Sequence, residues 1–311
     1  MKKILYCCFL QAIVSIAWTQ ETVVVLQSQI KADNSVEISY RKYRPGSYTV
    51  VLNFSTLTNV SYSTETKHTI PNEQGVLITL RPQDKNQSIN YRYTYSYIAG
   101  ELNPKIQTNF PYLLPFKPGT KAKVFESGYA YQMYFGANKP EDWKCYEFRT
   151  ATADSILASR KGLVVEVVDK YEQPYVEGVE FTTNENYLIV EHEDGTLMRY
   201  LGFKQGSFSV KHGQLVFPGT PLGIISERRK NYYRMSLLLY SLQSADMESY
   251  KNQTLSNHKS LYKIGTPQFV YDDNATGFLI PMKDYTTYSN EEYISKEMSK
   301  RELKKYKTGL K

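Results

Sequence analysis

The sequence predicts an all-β protein with an N-terminal antiparallel β-sandwich, a second antiparallel β-sheet domain and a short C-terminal helical tail. Three observations support this. Short apolar runs with period two recur from residue 22 to residue 106, separated by turn residues. A second series of strand-like runs fills residues 122 to 240. Between the series, Pro104, Pro111, Pro115 and Pro118 interrupt the chain, so we expect a domain boundary near residue 108.

The first nineteen residues are typical of a secretory signal peptide. Lys2 and Lys3 precede an apolar run from Ile4 to Ala17, which is too short to anchor the chain in a membrane. We expect residues 1–19 to be removed and the mature chain to be secreted across the inner membrane, into the periplasm, the cell envelope or the medium, with no transmembrane segment. Cys145 is then the remaining cysteine, which excludes an internal disulfide.

The net charge of +7 is concentrated at the two ends of the chain. Two of the positive charges lie in the signal peptide, and the segment from Lys296 to Lys311 contributes five. The remaining sequence is therefore neutral overall. We expect no nucleic-acid partner, and the basic tail is either a solvated helix end or a contact for an anionic surface.

The predicted sandwich covers residues 20–107. Its expected strands are Val23 to Leu26, Val36 to Tyr40, Tyr48 to Phe54, Val76 to Leu80 and Ile89 to Tyr97. In the last of these, alternate positions carry tyrosine: Tyr91, Tyr93, Tyr95 and Tyr97. Four rings on one face of a strand form either a wall of the core or a platform on which sugars stack, and the tyrosine-rich composition favours the core.

The second domain is expected at residues 108–245, followed by closing loops and strands at 246–288 and a basic, helix-compatible tail at 289–311. Its expected strands are Ala122 to Phe125, Gly162 to Val168, Tyr187 to Glu191, Thr196 to Phe203, Phe208 to Val210, Leu222 to Ile225 and Tyr232 to Tyr240. Gln268 to Tyr271 and Phe278 to Ile280 are expected to close onto the sheet. A tight turn with Asp194-Gly195 joins two of the strands.

Residues 110 to 240 resemble the LytM/lysostaphin-type zinc endopeptidases, which cut peptidoglycan cross-links and have the duplicated-hybrid-motif fold. The order and spacing of several segments carry the resemblance: Glu147-Phe148, Ala158 to Val164, Asn186 to Thr196, Val210 to Val216 and Gly219 to Gly223. The resemblance implies a LytM-like antiparallel sheet with a substrate groove.

The family holds one zinc ion with a histidine, an aspartate and the second histidine of a His-x-His strand, and two more histidines act on the substrate. Carried onto this sequence, the aspartate position falls on Glu147, and the first histidine falls on Asn138 or, with a shorter spacing, on Trp143. The His-x-His strand reads Tyr233-Arg234-Met235, and the remaining histidine falls on Gly202. We therefore expect no bound zinc and no catalytic residues, although the family uses zinc.

Other residues offer little replacement chemistry. The four histidines, His68, His192, His212 and His258, form no pair with metal-ligand spacing on one element. Cys145 is either a nucleophile or a small buried hydrophobe, and the sequence shows no histidine partner that favours the nucleophile.

The groove itself still suggests two uses. Glu147 is either a carboxylate that binds an amine or a hydroxyl at the groove floor, or a remnant that faces water. Arg228, Arg229 and Lys230 lie where the family has a small, glycine-rich loop. These three residues form either a groove rim that prefers an acidic partner or a solvated loop.

The function predicted from the sequence is a secreted pseudoenzyme that binds cell-wall peptide or regulates a cell-wall hydrolase through the degenerate groove. Peptidoglycan or such a hydrolase is its expected partner. Two alternatives remain open: an active metalloendopeptidase with relocated ligands, and an envelope interaction or scaffold protein that acts through the sandwich.

Overall fold

The computed structural model describes residues 22–129, 132–133, 138–172, 184–254 and 260–308. The predicted signal peptide, residues 1–19, and His258 lie outside these ranges. The described chain is mostly β-structure in antiparallel sheets with short helices, which confirms the all-β prediction. None of the helices in these ranges has the length and apolar character needed to span a bilayer.

Residues 24 to 99 form two antiparallel three-stranded sheets. Their strands are β1 (Val24–Ile30), β2 (Val36–Lys42), β3 (Tyr48–Thr58), β4 (Glu65–Ile70), β5 (Gln74–Leu80) and β6 (Asn90–Ala99). The sheet orders are β1-β2-β5 and β4-β3-β6. The two sheets share one apolar core, and the four tyrosines of β6 are half-buried against that core. They line the core, the alternative that the composition favoured. Strand β4 was not predicted, because its polar residues lack an apolar alternation.

The rest of the described chain forms the larger β-structure. Its strands are β7 (Pro111–Leu113), β8 (Lys121–Glu126), β9 (Tyr146–Thr150), β10 (Ser155–Leu157), β11 (Gly162–Val168), β12 (Tyr187–Glu191), β13 (Leu197–Leu201), β14 (Leu215–Val216), β15 (Pro221–Ile224), β16 (Glu227–Arg229), β17 (Tyr232–Leu242), β18 (Tyr262–Gly265), β19 (Gln268–Tyr271), β20 (Ala275–Gly277) and β21 (Asp284–Thr286). The helices are α1 (Met247–Lys251), α2 (Glu291–Ser295) and α3 (Lys300–Thr308).

A ten-stranded sheet dominates this part. Its main path is β14-β11-β12-β13-β17-β9-β8-β21, and β16 and β18 also pair with β17. Strand β19 pairs in parallel with β7 in a separate sheet, and its Phe269 packs against Tyr146 and Phe148 of β9. It therefore covers the main sheet without joining its strand order. The predicted strands at Phe208 to Val210 and Phe278 to Ile280 do not form. Val210 is buried in a loop, while Phe278 and Ile280 are exposed just after β20.

The pairing of β9 with β17 decides which side chains face the core. Phe148 is opposite Met235, and both are buried in the apolar core under the sheet. Glu147 is opposite Ser236, and Arg149 is opposite Arg234. Because side chains alternate along a strand, the charged residues share the other face of the sheet.

The sandwich packs directly on the main sheet. A small apolar cluster joins Val51 and Ile98 of the sandwich to Leu242, Ala245 and Leu261. The Ser47 backbone N–H also donates to the Glu191 carboxylate at 2.7 Å. The proline-rich segment therefore connects two bodies with a shared interface.

Candidate functional site

Glu147 is 5% exposed although it lies on the face of the sheet away from the core. Its burial is explained by two arginines. Arg149 Nε donates to Oε1 at 2.6 Å, and Arg234 Nη1 lies 3.4 Å from Oε2. Both contacts follow from the sheet, since Arg149 is two residues further along β9 and Arg234 lies on the adjacent strand.

The ion pairs continue beyond Glu147. Arg234 Nη2 donates to Glu185 Oε1 at 3.1 Å, and Arg228 Nη2 contacts the same oxygen. We call these five residues, Arg149, Glu147, Arg234, Glu185 and Arg228, the arginine–glutamate row. It crosses from β9 over β17 to the chain before β12 and to β16, with charges that alternate at each step. Ion pairs that share carboxylates and guanidinium groups in this way stabilise the fold more than isolated surface pairs do.

The row is fixed at one end and incompletely paired at the other. The Arg149 guanidinium lies 3.6 Å from the Phe125 ring centroid and 5.2 Å from that of Tyr232. At the other end, Arg228 Nε is buried and has no hydrogen-bond partner among the described residues. Burial lowers the pKa of Arg228, and Glu185 partly offsets this effect. Three guanidinium groups against two carboxylates leave the row with one excess positive charge.

The other predicted groove positions do not meet Glu147. Met235 lies in the core and Tyr233 packs against that core, on the opposite face of the sheet. Asn138 is exposed. Trp143 donates from Nε1 to the Ser127 carbonyl at 2.9 Å, with its ring 4.8 Å from that of Tyr129. In the described chain, no hydrogen bond, ion pair or ring contact joins these side chains to Glu147.

The remaining predicted positions are Gly202, Lys230 and Arg229. Gly202 is buried with φ of +98°, and a Cβ there would lie 2.6 Å from the Arg234 carbonyl oxygen. Lys230 is exposed at the β16–β17 turn, and the side chain of Arg229 lies outside the described part of the structure. The backbone thus excludes any side chain at the position where the resemblance placed a histidine.

The residues at Glu147 do not fit a zinc ion. A carboxylate that already accepts from two guanidinium groups has no free charge for a cation, and those groups would repel the metal. The expected partner ligands cannot complete the set, because Met235 faces the core, Asn138 carries an amide and the Trp143 ring nitrogen is bound to the Ser127 carbonyl. Within the described ranges, no three His, Cys, Asp or Glu side chains are grouped to hold a metal.

The described histidines are not grouped as metal ligands, and each contacts a different neighbour. His68 contacts the Thr66 hydroxyl at 2.9 Å on β4, and His212 Nε2 accepts from the Val167 backbone N–H at 2.7 Å. His192 lies in the turn after β12, where its Nδ1 is 2.8 Å from the Lys161 carbonyl oxygen.

Cys145 is buried directly before β9. Burial raises the pKa of its thiol to about 12, so the reactive thiolate is scarce at neutral pH. We expect iodoacetamide to leave Cys145 unlabelled in the folded protein and to label it fully in guanidinium chloride. Mass spectrometry of the peptide that carries Cys145 measures this, and rapid labelling of the folded protein would contradict it.

A second buried charge cluster surrounds Arg160, whose side chain is 0% exposed. Arg160 Nη1 donates to Asp194 at 2.8 Å and to the Tyr112 hydroxyl at 3.0 Å. Its Nε and Nη2 reach Glu297, with Nη2 at 2.7 Å, and the Phe110 ring lies 3.9 Å from Cζ. Burial alone would lower the pKa of Arg160, but the bonds to Glu297 and Asp194 raise it.

Glu297 and Lys161 attach the C-terminal tail to the body. Lys161 Nζ lies 2.9 Å from the Glu302 carboxylate and 2.9 Å from the Glu297 carbonyl. The predicted basic tail forms two helices without buried residues, α2 and α3, and Glu297 between them forms an ion pair with the buried Arg160.

Sequence reasoning missed the partners in both clusters. Arg149 could have been found from its i, i+2 spacing to Glu147, had β9 been predicted as a strand. Arg234 was considered only as the middle residue of the segment aligned with His-x-His. No sequence pattern indicated Glu185. The partners of Arg160 are separated from it by 34 and 137 residues, which local patterns do not reach.

Comparisons with known proteins give distant structural matches. No family model and no curated protein matches the chain. A protein described as a peptidase M23 from Pseudomonas aeruginosa is 10% identical over 61% of this chain and 82% of its own, with a TM-score of 0.26. A zinc containing peptidase from Vibrio cholerae is 12% identical over 70% and 77%, with a TM-score of 0.25. Csd3 of Helicobacter pylori is 10% identical over 91% and 81%, with a TM-score of 0.28. At such low values the similarity carries no argument about the site.

Proposed function

We propose that this chain is a secreted, non-catalytic relative of the peptidoglycan endopeptidases that works in the cell envelope by binding. Its partner is cell-wall peptide or a cell-wall hydrolase. The observation that supports this proposal is the pair of arginines on Glu147. Where the resemblance places a metal-binding carboxylate, Arg149 and Arg234 hold that carboxylate instead.

Charge favours an acidic partner at the row. The row carries one excess positive charge, and Lys230 is exposed at the turn that follows Arg228 along the chain. A carboxylate of a peptide or of a protein surface would compensate these charges. Complementary charge of this kind speeds association and selects the partner more than it adds affinity.

Hydrolysis and metal content test the non-catalytic part. We expect purified protein, supplied with zinc, to retain less than one zinc per chain and to release no peptides from purified sacculi. Elemental analysis and chromatography of the digest measure the two quantities. Glu147→Ala and Glu147→Gln should match the native chain. Stoichiometric zinc together with peptide release that Glu147→Ala abolishes would overturn the proposal.

Co-sedimentation with the same sacculi tests the binding part. If wall peptide is the partner, Lys230→Glu should weaken retention by about threefold or more through charge repulsion at the row. Lys283→Glu, a matched change at another exposed lysine, should leave retention unchanged. Equal retention of both variants would show that the row is not part of the binding surface. If the native chain itself does not sediment, wall peptide is not the partner.

A further inference from the structure

The C-terminal helix α3 is held in place by its one acidic residue, Glu302. Lys161 Nζ donates to Glu302 Oε2 at 2.9 Å, and the Ser299 backbone N–H donates to the same oxygen at 2.7 Å. The Ser299 hydroxyl in turn accepts from the Glu302 backbone N–H at 3.3 Å, which completes a capping box at the start of the helix. The side of α3 that carries Glu302 therefore faces the body of the protein.

The other side of α3 carries four cations: Lys300, Arg301, Lys304 and Lys305. An α-helix turns about 100° per residue, so these four side chains fall within an arc of about 140°, centred roughly opposite Glu302. All four are exposed, and none forms an ion pair within the described ranges. We call these four residues the tail cation face.

The carboxylates of the tail do not compensate this face. Ion pairs join Glu297 to Arg160, Glu302 to Lys161 and Glu291 to Lys307. Among residues 289–308 this leaves the carboxylate of Glu292 against the exposed Lys296 and the four cations of the face. Five unpaired cations against one unpaired carboxylate leave this segment with four excess positive charges. A surface of this kind attracts anionic groups.

The shape and the residue types of the tail cation face favour a lipid surface. The face is the convex side of a helix without buried residues, whereas small ligands are bound in concave sites. Three of its four cations are lysines, which act as flexible point charges, while arginine is the residue suited to fixed bidentate recognition of one carboxylate or phosphate. A layer of anionic headgroups needs no fixed geometry.

We propose that the tail cation face adsorbs to anionic phospholipid membranes and holds the protein at the bilayer surface. The proposal goes beyond the proposed function, because it concerns where the protein is held and not what the arginine–glutamate row binds. It uses none of the residues of that row.

Co-sedimentation of the full chain with lipid vesicles tests this. We expect at least about tenfold stronger binding to vesicles with about one third phosphatidylglycerol than to pure phosphatidylcholine vesicles. Each cation near an anionic surface strengthens adsorption about fivefold, so changing all four residues of the face to glutamine should weaken binding to anionic vesicles by at least about 100-fold. Raising the salt from about 0.05 M to about 0.5 M should remove the preference, because the screening length falls.

A second quadruple variant controls for net charge. It changes three lysines and one arginine that are exposed elsewhere in the chain: Lys85→Gln, Lys105→Gln, Lys204→Gln and Arg81→Gln. This variant should bind anionic vesicles within about twofold of the native chain, since distant charges are screened. Glutamine has a helix propensity close to that of lysine and arginine, so α3 should stay folded, which circular dichroism checks. The apolar N-terminus is the same in every variant.

Three results would overturn the proposal. The first is equal binding to anionic and neutral vesicles, and the second is equal binding of the two quadruple variants. The third is displacement from the vesicles by polyglutamate or duplex DNA at the same concentration of charge, which would show that the face binds any polyanion. Retention by sacculi without a preference for anionic vesicles would eliminate this surface and leave the proposed function intact. A preference for anionic vesicles without retention by sacculi would support the membrane contact and exclude wall peptide as the partner.

Discussion

Replacing Arg160 with alanine is expected to lower the free energy of unfolding by about 3–5 kcal/mol, the range for breaking a buried ion pair. The change leaves Asp194 and Glu297 with uncompensated charge, since their side chains are 2% and 10% exposed. It also removes the anchor of the C-terminal tail. Urea denaturation followed by far-ultraviolet circular dichroism measures the loss.

Arg301→Ala is the matched control, because Arg301 is an exposed arginine on α3. It should change stability by less than about 0.5 kcal/mol. Arg160→Ala should also make the tail more sensitive to trypsin under native conditions, whereas Arg301→Ala should not. A cost below about 1 kcal/mol for Arg160→Ala, with an equally resistant tail, would show that the ion pair does not hold the tail.

Substitution of Gly202 is expected to be the most damaging glycine change in the row region. Its φ of +98° is strained for any L-residue, and a Cβ would lie 2.6 Å from the Arg234 carbonyl oxygen. Strain and overlap each cost about 1–3 kcal/mol, so Gly202→Ala should lose about 2–6 kcal/mol. Gly202→His, which adds a larger side chain at the same position, should reduce the yield of folded protein further.

Gly206→Ala separates conformational strain from overlap. Gly206 has φ of +69°, but nothing lies within 4 Å of its Cβ position. Its replacement should cost only about 1–2 kcal/mol, the price of the left-handed region for an L-residue. Equal losses for the two glycines, measured by the same urea titration, would mean that the contact with the Arg234 backbone is unimportant.

Much of the fold was predictable because strands have a local signal. The alternation in β2, β3, β6 and β17 and the turn at Asp194-Gly195 were confirmed, with Gly195 at φ of +76°. Elements without alternation were missed, such as β4, or were assigned wrongly, such as Phe208 to Val210. Val210 is apolar because it fills the core from a loop, and sequence alone does not distinguish that from a strand.

The candidate site was less predictable. The sequence left Glu147 open between a binding carboxylate and a remnant that faces water, whereas the structure buries it between two arginines. Its expected neighbours Met235 and Tyr233 lie on the other face of the sheet. A shift of one residue in the pairing of β9 with β17 would reverse every face. Without that register, the sequence does not determine whether Arg234 or Met235 lies on the same face of the sheet as Glu147.

The sequence by itself therefore determined the class of the protein: all-β, with strands set by alternating residues and turns set by glycine and asparagine. Only the tertiary structure decided which charges meet. Glu147 and Arg234 are 87 residues apart, and Arg160 and Glu297 are 137 residues apart. Alternation acts between neighbours along the chain, whereas ion pairs depend on strand register and on where the tail docks. Those choices place Glu147 in the arginine–glutamate row and Arg160 between Asp194 and Glu297.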